Sequence, residues 1–151
     1  MAKIEVFALK LKKAKLVGVD SACFIYKFEQ RPLFEKPASI IFELLSRNKI
    51  KVVTSIITVA EVLTKPLEKK DLEVASLYET VFLQLPNFQI LNLDYRLAKM
   101  ASELRAKYKI RLPDAFQLAC CLNAEAKVFV TNDKDLQKVK EIEVLILKDF
   151  V

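Results

Sequence analysis

The sequence contains no histidine and only one glycine, Gly18, among its 151 residues. The absence of histidine excludes Ser-His-Asp and Cys-His nucleophilic catalysis and also histidine-ligated metals. A single glycine excludes the GxGxxG and Walker A loops, since both need several glycines to bring backbone amides close to phosphate groups. The groups that remain for catalysis are carboxylates, hydroxyls, amines and guanidinium groups.

Cysteine is also scarce, with Cys23, Cys120 and Cys121 as the only thiols. An odd number without CxxC spacing is not typical of a disulfide framework or a zinc knuckle, and a reducing compartment is expected. No apolar run reaches the roughly 18 residues that span a bilayer. The N-terminal segment lacks the apolar block and small-residue cleavage site of a secretory signal. We therefore expect a cytoplasmic protein with no membrane partner.

The composition itself is typical of a globular protein. Hydrophobic residues make up 53% and charged residues 29% of the chain, which is enough for a sizeable core, so we expect one domain over residues 1–151. Lysine and arginine number 25 against 19 acidic residues, a net charge of +6. This charge favours nucleic acid or another acidic surface as a partner. A lysine-rich solubilising surface would carry the same charge, and the charge alone does not separate the two.

Short apolar runs alternate with longer amphipathic stretches along the chain. Runs rich in Val, Ile and Leu are typical of strands buried on both faces, and the stretches between them predict helices. The pattern predicts an α/β fold, a parallel β-sheet with helices on both faces. The predicted strands are Leu16–Val19, Lys51–Ile56, Gln89–Leu93, Lys127–Val130 and Val144–Leu147, and the predicted helices are Pro37–Arg47, Thr58–Lys65, Asp71–Leu85, Asp94–Tyr108, Pro113–Asn123 and Lys134–Val139. Residues 1–14 fit both a helix and a strand, and we favour a helix.

Four acidic residues occupy positions that such a fold can bring together. Asp20 directly follows the first predicted strand. Asp133 follows the fourth predicted strand, with two residues between them. Glu61 lies in the first turns of the helix after the second strand. Ligands collect at the carboxyl ends of strands in open α/β sheets, so we expect these three acids at one edge. Asp114 lies in the first turn of a helix, where the dipole favours an anion, but that helix does not directly follow a strand.

Clustered carboxylates at the rim of an apolar core raise one another's pKa unless a cation offsets their repulsion. Oxygen ligands suit Mg²⁺ or Mn²⁺, which can activate water and stabilise charge on phosphate oxygens. An acidic cluster in a basic protein therefore indicates a divalent-metal site acting on a polyanion. Each acid alone also has a structural interpretation: Asp20 and Asp133 as helix caps, Glu61 as an ion-pair partner of Lys65, and Asp114 as a first-turn dipole residue.

Four segments in this order resemble the PIN-domain ribonucleases of the VapC-like toxin type: VDSACFIY around Asp20, TSIITVAEVLTKP around Glu61, LPDAFQLACC around Asp114 and VFVTNDKDL around Asp133. The resemblance covers about residues 16–147 and implies a PIN-like three-layer fold. It implies that the four acids are catalytic and hold Mg²⁺ or Mn²⁺ for cleavage of single-stranded or looped RNA, and that Ser21, Thr131 and Asn132 support the pocket. It also implies a cognate antitoxin that blocks the cleft, and a homodimer. Residues 1–14 are an N-terminal extension, because the family's first strand usually starts within the first few residues.

The resulting hypothesis is a Mg²⁺- or Mn²⁺-dependent endoribonuclease, a hydrolase that is the toxin of a type II toxin–antitoxin pair. One alternative is an RNA- or ribosome-associated PIN-like domain that binds without cleaving and has no toxin role. Another is a metal-dependent phosphatase or exonuclease on a different doubly wound fold. Metal-dependent cleavage of RNA would separate an enzyme from a binding domain.

Overall fold

The centre of the protein is a five-stranded parallel β-sheet, in a computed structural model that describes all residues, 1–151. The strands are β1 (Leu16–Val19), β2 (Lys51–Ser55), β3 (Phe88–Leu91), β4 (Val128–Thr131) and β5 (Glu143–Ile146). Their order across the sheet is β3-β2-β1-β4-β5, and each neighbouring pair is parallel. The predicted parallel sheet is confirmed, with strand ends that differ from the prediction by at most two residues.

Seven α-helices flank the sheet. They are α1 (Lys3–Ala14), α2 (Ser21–Phe28), α3 (Glu35–Ser46), α4 (Ile56–Glu68), α5 (Leu72–Gln84), α6 (Tyr95–Tyr108) and α7 (Leu112–Asn123). Two 3₁₀ helices, Lys134–Lys138 and Leu147–Phe150, follow β4 and β5. The α/β class with helices on both faces is confirmed. None of the helices combines the length and the apolar character that crossing a membrane requires.

Three helical segments differ from the sequence prediction. The first is α2, an eight-residue helix that was not among the predicted helices. Asp20 caps it, in agreement with the structural interpretation of that residue. The second is α4, whose predicted end at Lys65 was wrong, because the helix continues through a buried Pro66 to Glu68. Proline removes only one helical N–H, and this helix ends within its next turn, so little hydrogen bonding is lost. The third is the segment after Asp133, which is a 3₁₀ helix.

Side chains of the strands alternate between two apolar cores, as the period of two in a β-strand requires. Val17 and Val19 of β1 pack in the core formed with α1, α2, α3 and α5. Val53 of β2 and Phe129 of β4 pack in the opposite core, formed with α6 and α7. These two cores establish the three layers, helices–sheet–helices, in which the sheet is buried on both faces.

The only glycine lies where α7 packs against β1. A Cβ atom at Gly18 would stand 2.1 Å from Sγ of Cys121 and 3.3 Å from Cδ1 of Phe129. Any larger residue would therefore force the Cys121 side chain or α7 to shift. The close approach matters for the site, because α7 carries Asp114 and the end of β1 carries Asp20.

The N-terminal helix α1 packs into the first core. Phe7 and Leu11 are fully buried, and the ring of Phe7 lies 4.7 Å from that of Phe150, between ring centroids. The helix contacts α3 and the last 3₁₀ helix. The predicted helix in residues 1–14 is therefore confirmed, and it covers apolar surface of the domain itself.

Candidate active site

A cleft opens at the carboxyl edge of the sheet, between β1 and β4. The chain passes from β1 to β2 and β3 on one side and then to β4 on the other, so the segments after β1 and β4 diverge and leave a crevice. The cleft has a volume of about 390 Å³. Its lining contains all four predicted acids and all three predicted supporting residues: Asp20, Ser21, Ala22, Tyr26, Glu61, Arg111, Asp114, Thr131, Asn132 and Asp133.

Asp20 is held from two sides. Its Oδ1 accepts a hydrogen bond of 3.0 Å from the backbone N–H of Ala22, which caps α2. Its Oδ2 accepts a hydrogen bond of 2.5 Å from Oγ1 of Thr131 at the end of β4. The cap interpretation is thus correct for Oδ1, while Oδ2 is bound by Thr131, another residue of the cleft.

Burial raises the pKa of Asp20 to about 7. The hydrogen bonds from Thr131 and Ala22 lower this pKa, and the negative charges of Asp114 and Glu61 raise it. The carboxylate is therefore short of water and faces like charges, the situation that a bound cation relieves.

The segment after β4 carries the second set of polar groups. Oγ1 of Thr131 accepts from the backbone N–H of Asp133 at 3.2 Å, so its single hydrogen is free for Asp20. Oδ1 of Asp133 accepts from the N–H of Asp135 at 3.0 Å and caps the following 3₁₀ helix. Asp133 is exposed at the cleft rim, and its cap interpretation is again correct for one oxygen.

Asn132 connects this loop to two other elements. Its Nδ2 donates to the hydroxyl of Tyr26 on α2 at 3.3 Å, and its Oδ1 accepts from the N–H of Lys148 at 2.9 Å. The side chain therefore joins α2 and the last 3₁₀ helix to the loop behind Asp133. Ser21, the first residue of α2, also lines the cleft.

Glu61 enters the cleft from α4, which begins directly at the end of β2. The start of α4 is fixed by Oγ of Ser55, which accepts from the N–H of Ile57 at 3.2 Å. Glu61 is exposed, and Lys65 forms no ion pair with it. The alternative interpretation of Glu61 as a partner of Lys65 is therefore not realised.

Asp114 lies in the first turn of α7 and is paired with Arg111. Nε of Arg111 donates to Oδ2 of Asp114 at 3.1 Å, and the side chain of Asp114 is 14% exposed against 72% for Arg111. The hydrogen bond and charge of Asp114 raise the pKa of Arg111, as do the charges of Glu61 and Asp133. Arg111 is therefore a cationic group that faces three of the acids.

The sequence profile of the PIN domain family matches residues 17–142. The chain belongs to the PIN domain family. The predicted resemblance and the PIN-like fold are thereby confirmed, and a different doubly wound fold is excluded. The comparison with curated protein sequences gave no match.

Several solved structures of toxin–antitoxin proteins share this PIN fold. A toxin–antitoxin complex from Klebsiella pneumoniae is 23% identical, with a TM-score of 0.65, covering 87% of this chain and 97% of that one. VapBC2 from Rickettsia felis, bound to a promoter DNA fragment, is 18% identical, with a TM-score of 0.69 and coverages of 87% and 98%. VapC20 from Mycobacterium tuberculosis, described as a sarcin–ricin loop cleaving toxin, is 15% identical, with a TM-score of 0.66 and coverages of 81% and 93%. At these identities the likeness establishes the fold.

The donor set of this PIN domain fits a hard divalent cation in chemical type. Its groups are carboxylate oxygens, and Asp20 is partly buried and lies near two further negative charges. The four acids line one cleft, but no three of them are gathered closely enough to hold an ion as they stand. Their joint ligation of one metal therefore remains a prediction.

The PIN domain also contains site-related residues that the sequence analysis did not single out. Tyr26 lines the cleft, and Thr54, Thr58 and Gln117 form a buried polar group directly behind it. A signal was present for Gln117, an amide inside the otherwise apolar stretch AFQLACC. The partners of the Gln117 side chain become apparent only from the packing of α7 on β2 and α4.

Proposed function

We propose that this protein is a Mg²⁺- or Mn²⁺-dependent endoribonuclease, the toxin of a type II toxin–antitoxin pair. The observation that carries the proposal is the meeting of Asp20, Glu61, Asp114 and Asp133 in one cleft of a PIN domain, at the point where the sheet order reverses. Four separate structural roles would not require one shared cleft.

Each acid has a role that follows from its surroundings. Asp20, Glu61 and Asp114 would hold the ion, since Asp20 and Asp114 are partly buried and Glu61 has no competing partner on α4. Asp133, more exposed and already capping a helix, would contribute through a water molecule. When bound, the ion would lower the pKa of water and neutralise charge on the scissile phosphate. Thr131 would orient Asp20 throughout.

Arg111 would contribute to substrate binding. Its Nε holds Asp114, and its guanidinium group is largely exposed at the cleft. The remaining N–H groups can donate to a phosphate oxygen, because a guanidinium group presents several donors in one plane. Arg111 would thus position a metal-binding acid and the RNA backbone at once.

An RNA substrate agrees with the charge of the molecule and with a related protein. The net charge of +6 favours a polyanion. The Mycobacterium tuberculosis protein of the same fold is described as cleaving the sarcin–ricin loop, which supports looped RNA as the substrate class.

A protein partner also follows from this proposal. The Klebsiella and Rickettsia structures are toxin–antitoxin assemblies, which supports an antitoxin that covers the acidic cleft. Leu72 and Leu83 on α5 are 70% and 84% exposed. They lie eleven residues, about three helical turns, apart and so share one side of the helix. Exposed leucines on one side suit a protein interface, in the antitoxin complex or in the proposed homodimer.

The test is incubation of the purified protein with structured RNAs in Mn²⁺ or in EDTA. We expect endonucleolytic cuts with Mn²⁺ only, and loss of cleavage in Asp20→Asn and Asp114→Asn with the fold retained. The matched control is Asp94→Asn, because Asp94 only caps α6 through the N–H of Leu97 at 2.9 Å and asparagine is an equally good cap.

Three results would contradict the proposal: intact RNA with Mn²⁺, equal cleavage in EDTA, or near-wild-type cleavage by either cleft variant. RNA that shifts in a gel with the protein but stays uncut would support the non-cleaving RNA-binding alternative.

A further inference from the structure

Four polar side chains are buried directly behind the acidic cleft, where an apolar core would be expected. Thr54 and Ser55 on β2, Thr58 on α4 and Gln117 on α7 are each 2% exposed or less. No buried side-chain oxygen or nitrogen lacks a hydrogen-bond partner. Burying such groups is costly unless they are paired. Their presence in the core therefore calls for a structural or functional reason.

The four side chains form one continuous chain of hydrogen bonds. Oγ of Ser55 lies 2.9 Å from Oε1 of Gln117, and Nε2 of Gln117 lies 2.7 Å from Oγ1 of Thr58. Oγ1 of Thr58 lies 2.7 Å from Oγ1 of Thr54, which lies 2.7 Å from the carbonyl oxygen of Val19. This chain of hydrogen bonds therefore runs from Ser55 on β2 through α7 and α4, and then through Thr54 on β2 to β1.

The backbone groups at the two ends of this hydrogen-bonded chain determine which group donates in each hydrogen bond. The carbonyl of Val19 can only accept, so the hydroxyl hydrogen of Thr54 points to it and Thr58 must donate to Thr54. Oγ1 of Thr58 then accepts from Gln117. The amide of Gln117 cannot be reversed, because its Oε1 also accepts from the backbone N–H of Ser55 at 3.3 Å. Only one arrangement of hydrogens satisfies all of these groups.

Three residues of this hydrogen-bonded chain lie within three positions of an acid of the cleft. Val19 directly precedes Asp20, and Thr58 is three residues before Glu61 on α4. Gln117 is three residues after Asp114 on α7, a spacing that places two side chains on neighbouring parts of one helix surface. The three segments that carry Asp20, Glu61 and Asp114 are thus joined by side chains that form no hydrogen bond with any of the three carboxylates.

We propose that Thr54, Thr58 and Gln117 are positioning residues, which hold the three acids in the relative placement that metal binding requires. The inference rests on the proposed function. Apolar side chains of similar size would fill the same space but would allow α4 and α7 to slide against β1, since apolar contacts have no direction. A hydrogen-bonded chain with one permitted arrangement specifies the placement of both helices.

The experiment is titration of the full-length protein with Mn²⁺ by isothermal calorimetry, at a temperature where circular dichroism shows every variant folded. Thr58→Val and Thr54→Val keep size and shape but break the chain, and Thr58→Ser keeps the hydroxyl. Ile41→Val is the matched control for general loss of packing, because Ile41 is fully buried on α3, a helix with no residue in the cleft.

We expect the two valine variants to bind Mn²⁺ at least about tenfold more weakly than wild type, the size of effect that groups orienting metal ligands have. Thr58→Ser should restore binding, and Ile41→Val should leave it unchanged. Wild-type affinity in both valine variants, or an equal loss in Ile41→Val, would overturn the proposal. Failure of both valine variants to fold would also overturn it, because the hydrogen-bonded side chains would then be needed for folding and not specifically for the site.

Mn²⁺ binding by the wild-type protein distinguishes failure of this proposal from failure of the proposed function. Absence of Mn²⁺ binding by wild type would refute the metal-dependent nuclease and the positioning role together. Binding by wild type with equal binding by all variants would refute the positioning role alone.

Discussion

The hydroxyl of Thr131 donates a hydrogen bond of 2.5 Å to Oδ2 of Asp20, and so joins the ends of β4 and β1. These strands are neighbours in the sheet but lie far apart in the sequence. The same hydroxyl accepts from the N–H of Asp133. One buried side chain thus links two of the four acids across the point where the order of the sheet reverses.

Replacing Thr131 by valine should weaken metal binding. Valine fills the space of threonine but cannot donate to Asp20, whose carboxylate then loses a bond that lowers its pKa. We expect Mn²⁺ affinity at pH 7 to fall about tenfold, measured by calorimetry. Thr131→Ser keeps the hydroxyl and should bind as wild type does. Unchanged affinity in the valine variant would show that Asp20 does not depend on this bond.

Mn²⁺ should stabilise the wild-type protein, because the folded state has the acidic cleft and the unfolded chain has no such site. In EDTA, Asp20→Asn should melt at the same temperature as wild type or higher, since one charge has gone from a group of like charges. The amide oxygen can still accept from the N–H of Ala22. Thermal melting curves of both proteins, with EDTA and with Mn²⁺, measure this.

The competing interpretation of Asp20 makes a different prediction. If Asp20 acted only as a cap and hydrogen-bond acceptor, Mn²⁺ would not shift the melting temperature of wild type, and Asp20→Ala, which removes the acceptor that asparagine keeps, would cost about 0.5–2 kcal/mol with or without metal. A variant clearly less stable in EDTA, together with no Mn²⁺ shift in wild type, would mean that the acids are structural.

The stability of the metal-free protein should fall as the pH rises toward neutrality. The pKa of Asp20 is about 7 in the folded protein against 3.8 as the ordinary value, so between these values the folded state holds a proton that the unfolded chain has released. This contribution is present below about pH 4 and is lost as the pH rises through about 7.

Urea unfolding in EDTA at pH 5 and pH 7.5 measures this contribution. We expect wild type to lose on the order of 2 kcal/mol more than Asp20→Asn over this range, at about 1.4 kcal/mol per pKa unit. The variant is the control for every other titrating group. Parallel pH profiles for the two proteins would contradict the raised pKa.

Gly18→Ala should destabilise the protein by about 1–3 kcal/mol, the usual cost of overpacking a core. The added methyl group would lie 2.1 Å from Sγ of Cys121, so the Cys121 side chain or α7 would have to shift. Cys121→Ala removes the sulfur, and in the double variant the methyl group should be tolerated better than in wild type. Urea unfolding of the four proteins gives the coupling energy, and strict additivity would contradict the contact.

Much of the fold follows from local sequence pattern. Short runs such as Leu16–Val19 are too apolar for a surface and too short for a core helix, and in the structure this run is β1, with the predicted bounds. Residues directly after such strands must lie at the carboxyl edge of a parallel sheet. For this reason the sequence alone indicated that Asp20, Glu61 and Asp133 would meet.

Local pattern was less informative about helix ends and short helices. Pro66 is a helix breaker by propensity, yet its burial keeps α4 intact for one more turn. The helix α2 is eight residues long and carries Cys23 and Phe24 inside the core. In both segments tertiary packing contributes more than the intrinsic preference of the chain.

The arrival of Asp114 in the cleft was decided by tertiary structure, because its helix follows another helix and not a strand. In the structure Gly18 allows the close approach of α7 to β1, and Gln117 on α7 hydrogen-bonds to β2 and α4, while Asp114 at the start of α7 lines the cleft with Asp20. These contacts connect residues more than fifty positions apart in the chain. Local periodicity carries no information on such pairs, since it reports which face of an element is buried and not which neighbour covers it.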